Sequence, residues 1–466
     1  MKKGEVITGR NGINYTVIEG IGKGGLAKVW KVRDETSNKF YACKNYKPVP
    51  KTVRKNFLPN IRANIEDLIK IGAIKDRNGD ILDSVVMPIT IVDGEGDSFS
   101  YIMELVDLKD FTTLKKAWIK PDKYPTPFAI CNIVKNFALF FERIHLGHGF
   151  CYKDVNEGNI FFNPKSGEIK IIDNDNIGLA TKQTIKGTPY YMAPEVILGK
   201  APNADSDKFS FAVFMYRLFT GGYPFEGAYT EKYCEAHDVL LSDPAASKEL
   251  FGKNPIFVWH PTDKKNCIDK YADTQHKRQA EYWRRLPQVI KDLFIKTFVT
   301  NLPEDRAAER TSDVAWKNVF ETLEKNLITC PHCKKKTFAE MDTCFECEKP
   351  LTKKTSANPK SVTQPSVTFD VLSKGETKKQ ISPTAGTKIY GDKISKNLPS
   401  GILLQIIHSE KTKKIGAKNL SKNSWKVVKA DGSSVTCEPN KVAALEVGTK
   451  IAVISKVVQL NVTALT

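Results

Sequence analysis

The 466 residues, 41% of them hydrophobic, suffice for about two to four domains, and no run of about twenty apolar residues exists that would span a membrane. The first residues also lack the apolar core of a secretory signal, so a cytoplasmic location is expected. The formal net charge is +18, but residues 330–466 hold 23 Lys, 11 acidic residues and no Arg, which disfavours nucleic acid as a partner because phosphate recognition favours the Arg fork.

Residues 15–46 predict three short strands joined by tight turns. Four glycines lie between residues 20 and 25, where missing side chains would let backbone amide groups approach phosphates. A dinucleotide-binding fold would place a helix directly after such glycines. Residues 28–32 instead alternate between apolar and polar like a strand. The pattern therefore favours a glycine-rich hairpin.

Further elements follow this hairpin. A strand over residues 39–44 ends in a lysine, and residues 57–71 carry apolar side chains at helical spacing. Two more strands, over residues 85–88 and 100–106, flank a turn rich in Gly and Asp. This order predicts a sheet with one helix packed against it.

The most informative stretch follows a predicted amphipathic helix over residues 128–149. Asp154 is followed five residues later by Asn159, and the next hydrophobic run ends in Asp173. Such a set serves phosphoryl transfer: one Asp accepts the proton of an attacking hydroxyl, while the Asn and the second Asp hold metal ions. A polar turn between two strands is the alternative, because Asp, Asn and Gly favour turns.

Residues 187–195 read Gly-Thr-Pro-Tyr-Tyr-Met-Ala-Pro-Glu. Together with the preceding acid and amide pattern, this stretch resembles the Ser/Thr protein kinases, in which it docks the protein substrate. Thr188 at this place implies hydroxyl substrates of the Ser/Thr type. The resemblance also implies that Asp207 holds the backbone of the catalytic loop and that Arg310 pairs with Glu195.

The same resemblance assigns roles within the site by position. Asp154 matches the catalytic aspartate, Asn159 and Asp173 match the Mg²⁺ ligands, and Lys44 matches the lysine that grips the phosphates of ATP. Asp175 is a second candidate for the metal ligand, at a spacing that matches less well. The residues expected to contact the nucleotide are Ile21, Gly22, Gly24, Val29, Ala42, Lys44, Glu66, Met103, Glu104 and Val106.

In this family the phosphate-binding lysine pairs with a glutamate on a helix, which here corresponds to residues 57–71. Glu66 is the expected partner of Lys44. Asp67 is the alternative, because the apolar periodicity does not fix the register of the helix.

Five positions depart from the family pattern. Tyr152 and Lys153 replace a His-Arg pair, and Asn156 stands where a lysine usually helps to hold the γ-phosphate. Asn174 and Asp175 replace a packing Phe and a hinge Gly. These polar replacements motivate a rival hypothesis, a pseudokinase scaffold that binds nucleotide and partners without catalysis. Retention of all four catalytic residues argues against it.

Four of the ten cysteines form two Cys-x-x-Cys pairs, Cys330 with Cys333 and Cys344 with Cys347. Tetrahedral Zn²⁺ takes four such thiolates, so the spacing predicts a structural zinc ribbon over residues 328–350. Redox dithiols or disulfides are the alternative. The other six cysteines are scattered singly, which is typical of a reducing compartment.

Residues 351–386 are rich in Lys, Ser, Thr and Pro, which predicts a flexible linker and accessible hydroxyls for autophosphorylation. Residues 387–466 alternate as five strands, with a hairpin turn at Asp431 and Gly432, and predict a small all-β sandwich. This module resembles forkhead-associated modules. Their phosphate-reading Gly-Arg and Ser-x-x-His residues are not visible in it, so a bare interaction module is favoured.

The predicted architecture is therefore α+β, with a two-lobed protein-kinase fold over residues 1–327 followed by the ribbon and the β module. The lobes are expected over residues 12–106 and 107–327. The arrangement is similar to bacterial kinases of tellurite-resistance-associated phosphorylation systems. That resemblance implies a eukaryotic-like Ser/Thr kinase that uses Mg-ATP on proteins, itself included. A phosphatase and a von Willebrand-type protein are the implied partners.

Overall fold

The computed structural model divides into two compact units, Met1–Thr352 and Lys353–Thr466. Among the described helices, none combines the length and apolar character that crossing a bilayer requires. The residues that the structure describes are 1–24, 27–46, 57–76, 78–96, 98–179, 187–268, 276–299, 307, 309–351, 366–373, 376–381, 383, 386–394, 402–409, 412, 414–454 and 458–465.

A six-stranded antiparallel sheet, in the order β1-β2-β3-β4-β6-β5, forms the amino-terminal lobe. Helix α1 packs on this sheet through Phe57, Ile61 and Ile65, which share an apolar cluster with residues of β4 and β6. The sheet begins at Val6, before the predicted lobe boundary at residue 12, because β1 pairs with β2. The elements are β1 (Val6–Thr8), β2 (Asn14–Lys23), β3 (Ala27–Asp34), β4 (Phe40–Tyr46), α1 (Phe57–Ile71), β5 (Pro88–Asp93) and β6 (Phe99–Glu104).

The carboxy-terminal lobe is built around two helices, α3 and α5, that are buried on most of their surface. Thr126 caps α3 and Asn203 caps α5 through side-chain hydrogen bonds to the first turn. The small sheet β7-β8-β9 includes the strand that directly follows the predicted catalytic loop, residues 152–159. The elements are β7 (Thr112–Thr113), α2 (Leu114–Ile119), α3 (Pro127–Glu142), β8 (Ile160–Phe162), β9 (Ile169–Ile171), α4 (Pro194–Ile197), α5 (Ala204–Thr220), α6 (Ala228–His237), α7 (Pro244–Ser247), α8 (His276–Arg285), α9 (Gln288–Phe298) and α10 (Asp313–Lys325).

The cysteine-containing segment belongs to the first unit. Its two strands, β10 (Leu327–Thr329) and β11 (Lys336–Phe338), form a hairpin. Phe338 and Phe345 are buried in the same apolar cluster as α3 and α5. The segment therefore shares the core of the carboxy-terminal lobe. The separate domain predicted for residues 328–350 is not formed, because so short a segment gains its apolar burial from the lobe.

The second unit is a β sandwich, as predicted. A six-stranded sheet, β13-β12-β21-β20-β17-β18, and a four-stranded sheet, β14-β15-β16-β19, contribute to one apolar core. Gly432, at φ +84°, turns the β17–β18 hairpin at the expected place. The elements are β12 (Val367–Ser373), β13 (Glu376–Ile381), β14 (Lys388–Tyr390), α11 (Gly391–Ile394), β15 (Ile402–His408), β16 (Ile415–Asn419), β17 (Trp425–Val428), β18 (Ser434–Cys437), β19 (Val442–Ala444), β20 (Lys450–Ile454) and β21 (Val458–Leu465).

The predicted linker over residues 351–386 was too long. Strands β12 and β13 lie within it and form a hairpin at the edge of the six-stranded sheet. Val367, Phe369 and Val371 alternate along β12 and are buried, and this alternation was masked by the surrounding Lys, Ser and Thr. Residues 352–365 of the predicted linker lie outside the described residues. The resemblance to forkhead-associated modules stays a prediction.

Candidate active site

Helix α5 fastens the loop that carries the predicted catalytic aspartate. Asp207, in the first turn of α5, is buried and accepts hydrogen bonds from the backbone N–H groups of Tyr152 (2.6 Å) and Lys153 (3.0 Å). Lys153 has φ +70°, a left-handed conformation that a non-glycine residue adopts only at a cost. The two hydrogen bonds help to hold the loop in this conformation, directly before Asp154.

Asp154 is buried and oriented by two neighbours. Its Oδ1 accepts a hydrogen bond from the Thr188 hydroxyl (2.7 Å), and Asn159 Nδ2 lies within hydrogen-bonding distance of the Asp154 carbonyl (3.2 Å) and Oδ2 (3.3 Å). Burial raises the pKa of Asp154, while the hydrogen bonds from Thr188 and Asn159 oppose that rise. A fixed carboxylate whose pKa is moved toward neutrality is suited to accept a proton.

Lys44, on β4, reaches across the cleft to the segment after β9. Its Nζ forms ion pairs with Asp173 and with Asp175, the latter at 2.7 Å from Oδ2. Burial alone would lower the pKa of Lys44, but the charges of Asp175 and Asp173 raise it well above its usual value. Asp154 thus contacts Asn159, and Lys44 contacts Asp173. The two pairs are joined by the Ile172 N–H group, directly before Asp173, which donates to the Asn159 carbonyl at 2.9 Å, so the structure brings the four predicted catalytic positions together.

The expected pair between Lys44 and Glu66 is not formed. Glu66 Oε1 lies 2.9 Å from Arg10 Nη1 on the exposed side of α1, and Asp67 Oδ1 lies 3.8 Å from Lys70. The register of the helix explains this, since Glu66 and Asp67 are turned about 100° and 200° from the buried position 65.

Helix α1 presents Asn64 to the interior instead. Asn64 Nδ2 donates to the backbone carbonyl of Asp175 at 3.3 Å. A polar side chain interrupting the buried stripe of Ile61, Ile65 and Leu68 is a sequence signal that would have identified this position.

The residues predicted to contact the base and sugar of a nucleotide lie in and beside the amino-terminal sheet. Ala42 pairs with Met103 across β4 and β6, and Gly22 pairs with Val29 across β2 and β3. The glycines are therefore followed by a strand, as predicted. Val29, Ala42, Met103 and Val106 belong to one apolar cluster, whereas Ile21 and Glu104 are exposed. Gly24 precedes residues 25–26, which lie outside the described residues.

The predicted substrate-docking loop lies against the catalytic loop. A side chain at Gly187, which has φ +120°, would approach the Lys153 carbonyl to 2.9 Å, so that this position requires glycine. Glu195 and Arg310 form a buried pair with two hydrogen bonds of 2.7 and 2.8 Å, as the resemblance implied.

Arg217, at the carboxyl end of α5, was not singled out from the sequence. Its Nη1 donates to Glu157, in the catalytic loop, and to the Tyr191 hydroxyl, in the docking loop, the latter at 2.6 Å. The guanidinium also lies 4.1 Å from the ring centroid of Tyr223. Arg217 therefore connects the predicted catalytic loop with the predicted docking loop. Nothing in its local sequence distinguishes it from any other arginine at the end of a helix.

The polar residues that depart from the family pattern have structural partners. Tyr152 is fully buried, with its hydroxyl 3.3 Å from the Ile172 carbonyl. Asn174 Nδ2 donates to the carbonyls of Val86 (2.9 Å) and Ile171 (2.8 Å). These hydrogen bonds pin the segment after β9, which a Phe at position 174 would hold by apolar packing instead.

The four paired cysteines converge on one point. Their Sγ atoms all lie within 4.8 Å of one another, with Cys330 3.8 Å from Cys347 and Cys333 3.7 Å from Cys344. A tetrahedral zinc site with Zn–S bonds of about 2.3 Å requires sulphur atoms roughly 3.8 Å apart. The cluster is therefore consistent with a zinc ribbon.

Comparison with known proteins agrees with this geometry. The model of the protein kinase domain family matches residues 15–311. The chain is 26% identical over 230 residues to the cAMP-dependent protein kinase type 3 of Saccharomyces cerevisiae, covering 48% of this chain and 52% of that protein. It is 25% identical over 279 residues to the serine/threonine-protein kinase PknF of Mycobacterium tuberculosis, covering 55% of this chain and 54% of that protein.

A third relative is the human serine/threonine-protein kinase Nek5, at 25% identity over 262 residues, which covers 54% of this chain and 34% of that protein. The chain thus spans about half or less of the length of these relatives. The match to the family model lies within the part of the chain that holds the two lobes.

Proposed function

This chain belongs to the protein kinase family, and from that premise we propose that it transfers the γ-phosphoryl group of Mg-ATP to serine or threonine hydroxyls of proteins. The observation that carries the proposal is the convergence of Lys44, Asp154, Asn159 and Asp173 at one cleft. Positioning and charge stabilisation supply most of the acceleration in this reaction, so that correct placement of these groups is the main requirement.

Asp154 acts on the acceptor hydroxyl in this proposal. Its carboxylate is held by Thr188 and Asn159 and accepts the proton as the oxygen attacks in line. Thr188 belongs to the docking loop, so the acceptor peptide and the base are positioned by the same contact. Lys44 binds phosphate oxygens, for which its ammonium group is held ready by ion pairs.

The residues present fit Mg²⁺, which prefers oxygen ligands. The amide N–H group of Asn159 donates a hydrogen bond to Asp154, which leaves the amide oxygen to serve as a metal ligand. The Asp173 carboxylate is one-third exposed and borders the cleft. Bound there, the ion would neutralise charge on the phosphates.

The rival function is a pseudokinase scaffold. The position of Asn156 favours it, because the Asn156 side chain hydrogen-bonds within its own loop and supplies no cation for the γ-phosphate. The contacts of Asp154 with Thr188 and Asn159 support catalysis instead, since a scaffold that only binds nucleotide does not need an oriented base.

Transfer of label from γ-labelled ATP in the presence of Mg²⁺ tests the proposal. We expect incorporation by the native chain and loss of at least about a hundredfold in Asp154→Asn, which keeps the shape of the side chain but cannot accept the proton. Asp238→Asn, at an exposed helix end, is the matched control. Equal incorporation by the native chain and Asp154→Asn would contradict the proposed catalysis and favour the pseudokinase scaffold.

We further infer that the cysteine cluster binds a structural zinc ion, because all four ligand positions are filled by protein thiols. Autophosphorylation within residues 351–386, and work beside a phosphatase and a von Willebrand-type protein, complete the proposal on the basis of the sequence resemblance. A reducing, cytoplasmic location is supported by the ten cysteines, all in the described part of the chain and none in a disulfide.

A further inference from the structure

The segment after β9 contains an acidic side chain whose contacts differ from those of a metal ligand. Asp175 is 1% exposed, whereas Asp173, two residues earlier, is 33% exposed. Asp175 Oδ2 accepts hydrogen bonds from Lys44 Nζ (2.7 Å) and from the Tyr46 hydroxyl. Both donors come from β4. Lys44 also pairs with Asp173, but the Asp173 carboxylate is partly exposed at the cleft, whereas that of Asp175 is enclosed against the amino-terminal sheet.

Three further hydrogen bonds fix the turn that carries Asp175. Asn64 of helix α1 donates to the Asp175 carbonyl, and Asn174 donates to the carbonyls of Val86 and Ile171. The other carboxylate oxygen, Asp175 Oδ1, is buried and has no hydrogen-bond partner among the residues that the structure describes. A buried carboxylate in this state depends on its cationic neighbour, and Lys44 is that neighbour.

Helix α1 offers Lys44 no carboxylate. Its inward positions hold apolar residues and Asn64, while Glu66 is paired with Arg10 at the surface. The lysine nevertheless needs a fixed anion, because an ammonium group on a flexible four-carbon stem is poorly positioned by itself.

We propose that Asp175 is the residue that positions Lys44 for the nucleotide phosphates, in place of a glutamate on helix α1. The inference rests on the proposed function only in taking Lys44 as a phosphate ligand. Lys44 then keeps a buried anionic partner when Asp173, which also pairs with it here, turns to the metal ion, and the position of Lys44 does not depend on a carboxylate moving with α1.

The experiment compares Asp175→Asn with Glu66→Gln and with the conservative variant Asp175→Glu, which keeps a carboxylate at this position. We expect the apparent KM for ATP of Asp175→Asn to rise about tenfold, with kcat falling less, because the loss affects the binding of phosphates. Glu66→Gln should stay within about twofold of the native value. Asp175→Glu should raise the KM less than Asp175→Asn does.

A second measurement does not depend on catalysis. The rate at which an amine-acylating reagent labels Lys44, followed by mass spectrometry, should increase in Asp175→Asn and increase less in Asp175→Glu. Thermal unfolding of each variant shows whether it is folded. A merely structural role for Asp175 would alter stability in both Asp175 variants without this difference in Lys44 labelling.

The outcomes separate this inference from the proposed function. If the native chain transfers no phosphoryl group but Lys44 labelling and binding of a fluorescent ATP analogue depend on Asp175, the proposed function fails and the inference stands. Unchanged labelling and unchanged nucleotide affinity in Asp175→Asn would overturn the inference. A change only in the Mg²⁺ concentration required would also overturn it, by making Asp175 a metal ligand.

Discussion

At the scale of single residues, the environment of Asp154 combines two opposing effects. Burial favours the protonated carboxyl, and the Thr188 and Asn159 hydrogen bonds favour the carboxylate. The balance leaves the pKa above the usual aspartate value, which would improve Asp154 in its proposed role as a proton acceptor. Thr188 is therefore expected to affect the ionisation of the base as well as the docking of the substrate.

Thr188→Val removes a hydrogen bond that stabilises the ionised form of Asp154. The pKa of Asp154 should rise further, so that the acidic limb of the pH profile of kcat/KM moves to higher pH and activity at pH 7 falls by roughly tenfold. Steady-state kinetics between about pH 5.5 and 8 measure this. Thr188→Ser keeps the hydroxyl and should retain the native profile. An acidic limb unmoved in Thr188→Val would show that the hydrogen bond does not control the base.

At the scale of elements, the catalytic loop depends on the junction of three helices. His145 lies in the π-helical turn after α3, with Nε2 3.1 Å from Asp207 of α5 and Nδ1 3.1 Å from Asp313 of α10. Burial opposes protonation of His145, but its hydrogen bonds to Asp207 and Asp313 prevail and raise its pKa from 6.5 to about 9. The imidazolium therefore bridges the helix that fastens the loop to the last helix of the lobe.

This bridge makes stability depend on pH. Because the folded-state pKa is raised, its contribution is fully present below about pH 6.5 and is lost as pH rises through about 9. The contribution is on the order of 3 kcal/mol. Denaturant unfolding at both ends of this window should show a smaller fall in stability for His145→Gln than for the native chain. His237→Gln, at the exposed end of α6, should keep the native slope. An equal fall in the free energy of unfolding across this pH window in all three proteins would exclude the bridge.

Elements were predictable from sequence where one periodicity dominated. Helix α1 has the predicted bounds of residues 57–71, and β17 has the predicted bounds of residues 425–428. Strand β12 was missed because its alternation covers a few residues within a Lys- and Thr-rich segment. The side of α1 on which Glu66 lies depends on how the helix packs on the sheet, which periodicity with an imperfect apolar stripe does not determine.

The candidate site likewise has a part that the sequence predicts and a part that it does not. Asp154 and Asn159 are close in sequence, so their spacing alone predicts that they act together. The pairing of Lys44 with Asp175 joins residues 131 positions apart, and it depends on the turn that the Asn174 hydrogen bonds impose. Local spacing carries no information about such a contact.

At the scale of the whole molecule, the first unit extends beyond the two lobes to include the cysteine segment. Arg285, at the end of α8, donates to the carbonyls of Cys344 (3.0 Å) and Phe345 (3.2 Å) and pairs with Glu348 at 2.7 Å. The Phe345 ring stacks with that of Tyr124 at 6.0 Å between centroids. These contacts connect the second of the two turns that carry the paired cysteines, residues 344–347, to the lobe.

Loss of zinc should therefore weaken the lobe as well as the ribbon. Because Cys344 is both a proposed zinc ligand and the neighbour of Phe345, native mass spectrometry should find one zinc ion on the native chain and none on Cys344→Ser. Cys344→Ser should also destabilise the first unit by roughly 3 kcal/mol or more, since binding of a structural metal contributes directly to folding. The half-buried Cys234, on α6 outside the cluster, provides the matched control Cys234→Ser, which should keep the zinc.

Hydrogen exchange locates the destabilisation along the chain. In Cys344→Ser, or after chelation of the native protein, the amides of α8 should lose protection together with those of residues 328–350, because Arg285 and the Phe345 cluster join the two. The strands of the second unit, which have a separate apolar core, should keep theirs. Loss of protection limited to residues 328–350 would mean that the ribbon folds on its own and only rests on the lobe. In that case its zinc would contribute nothing to the stability of the helices around the catalytic loop.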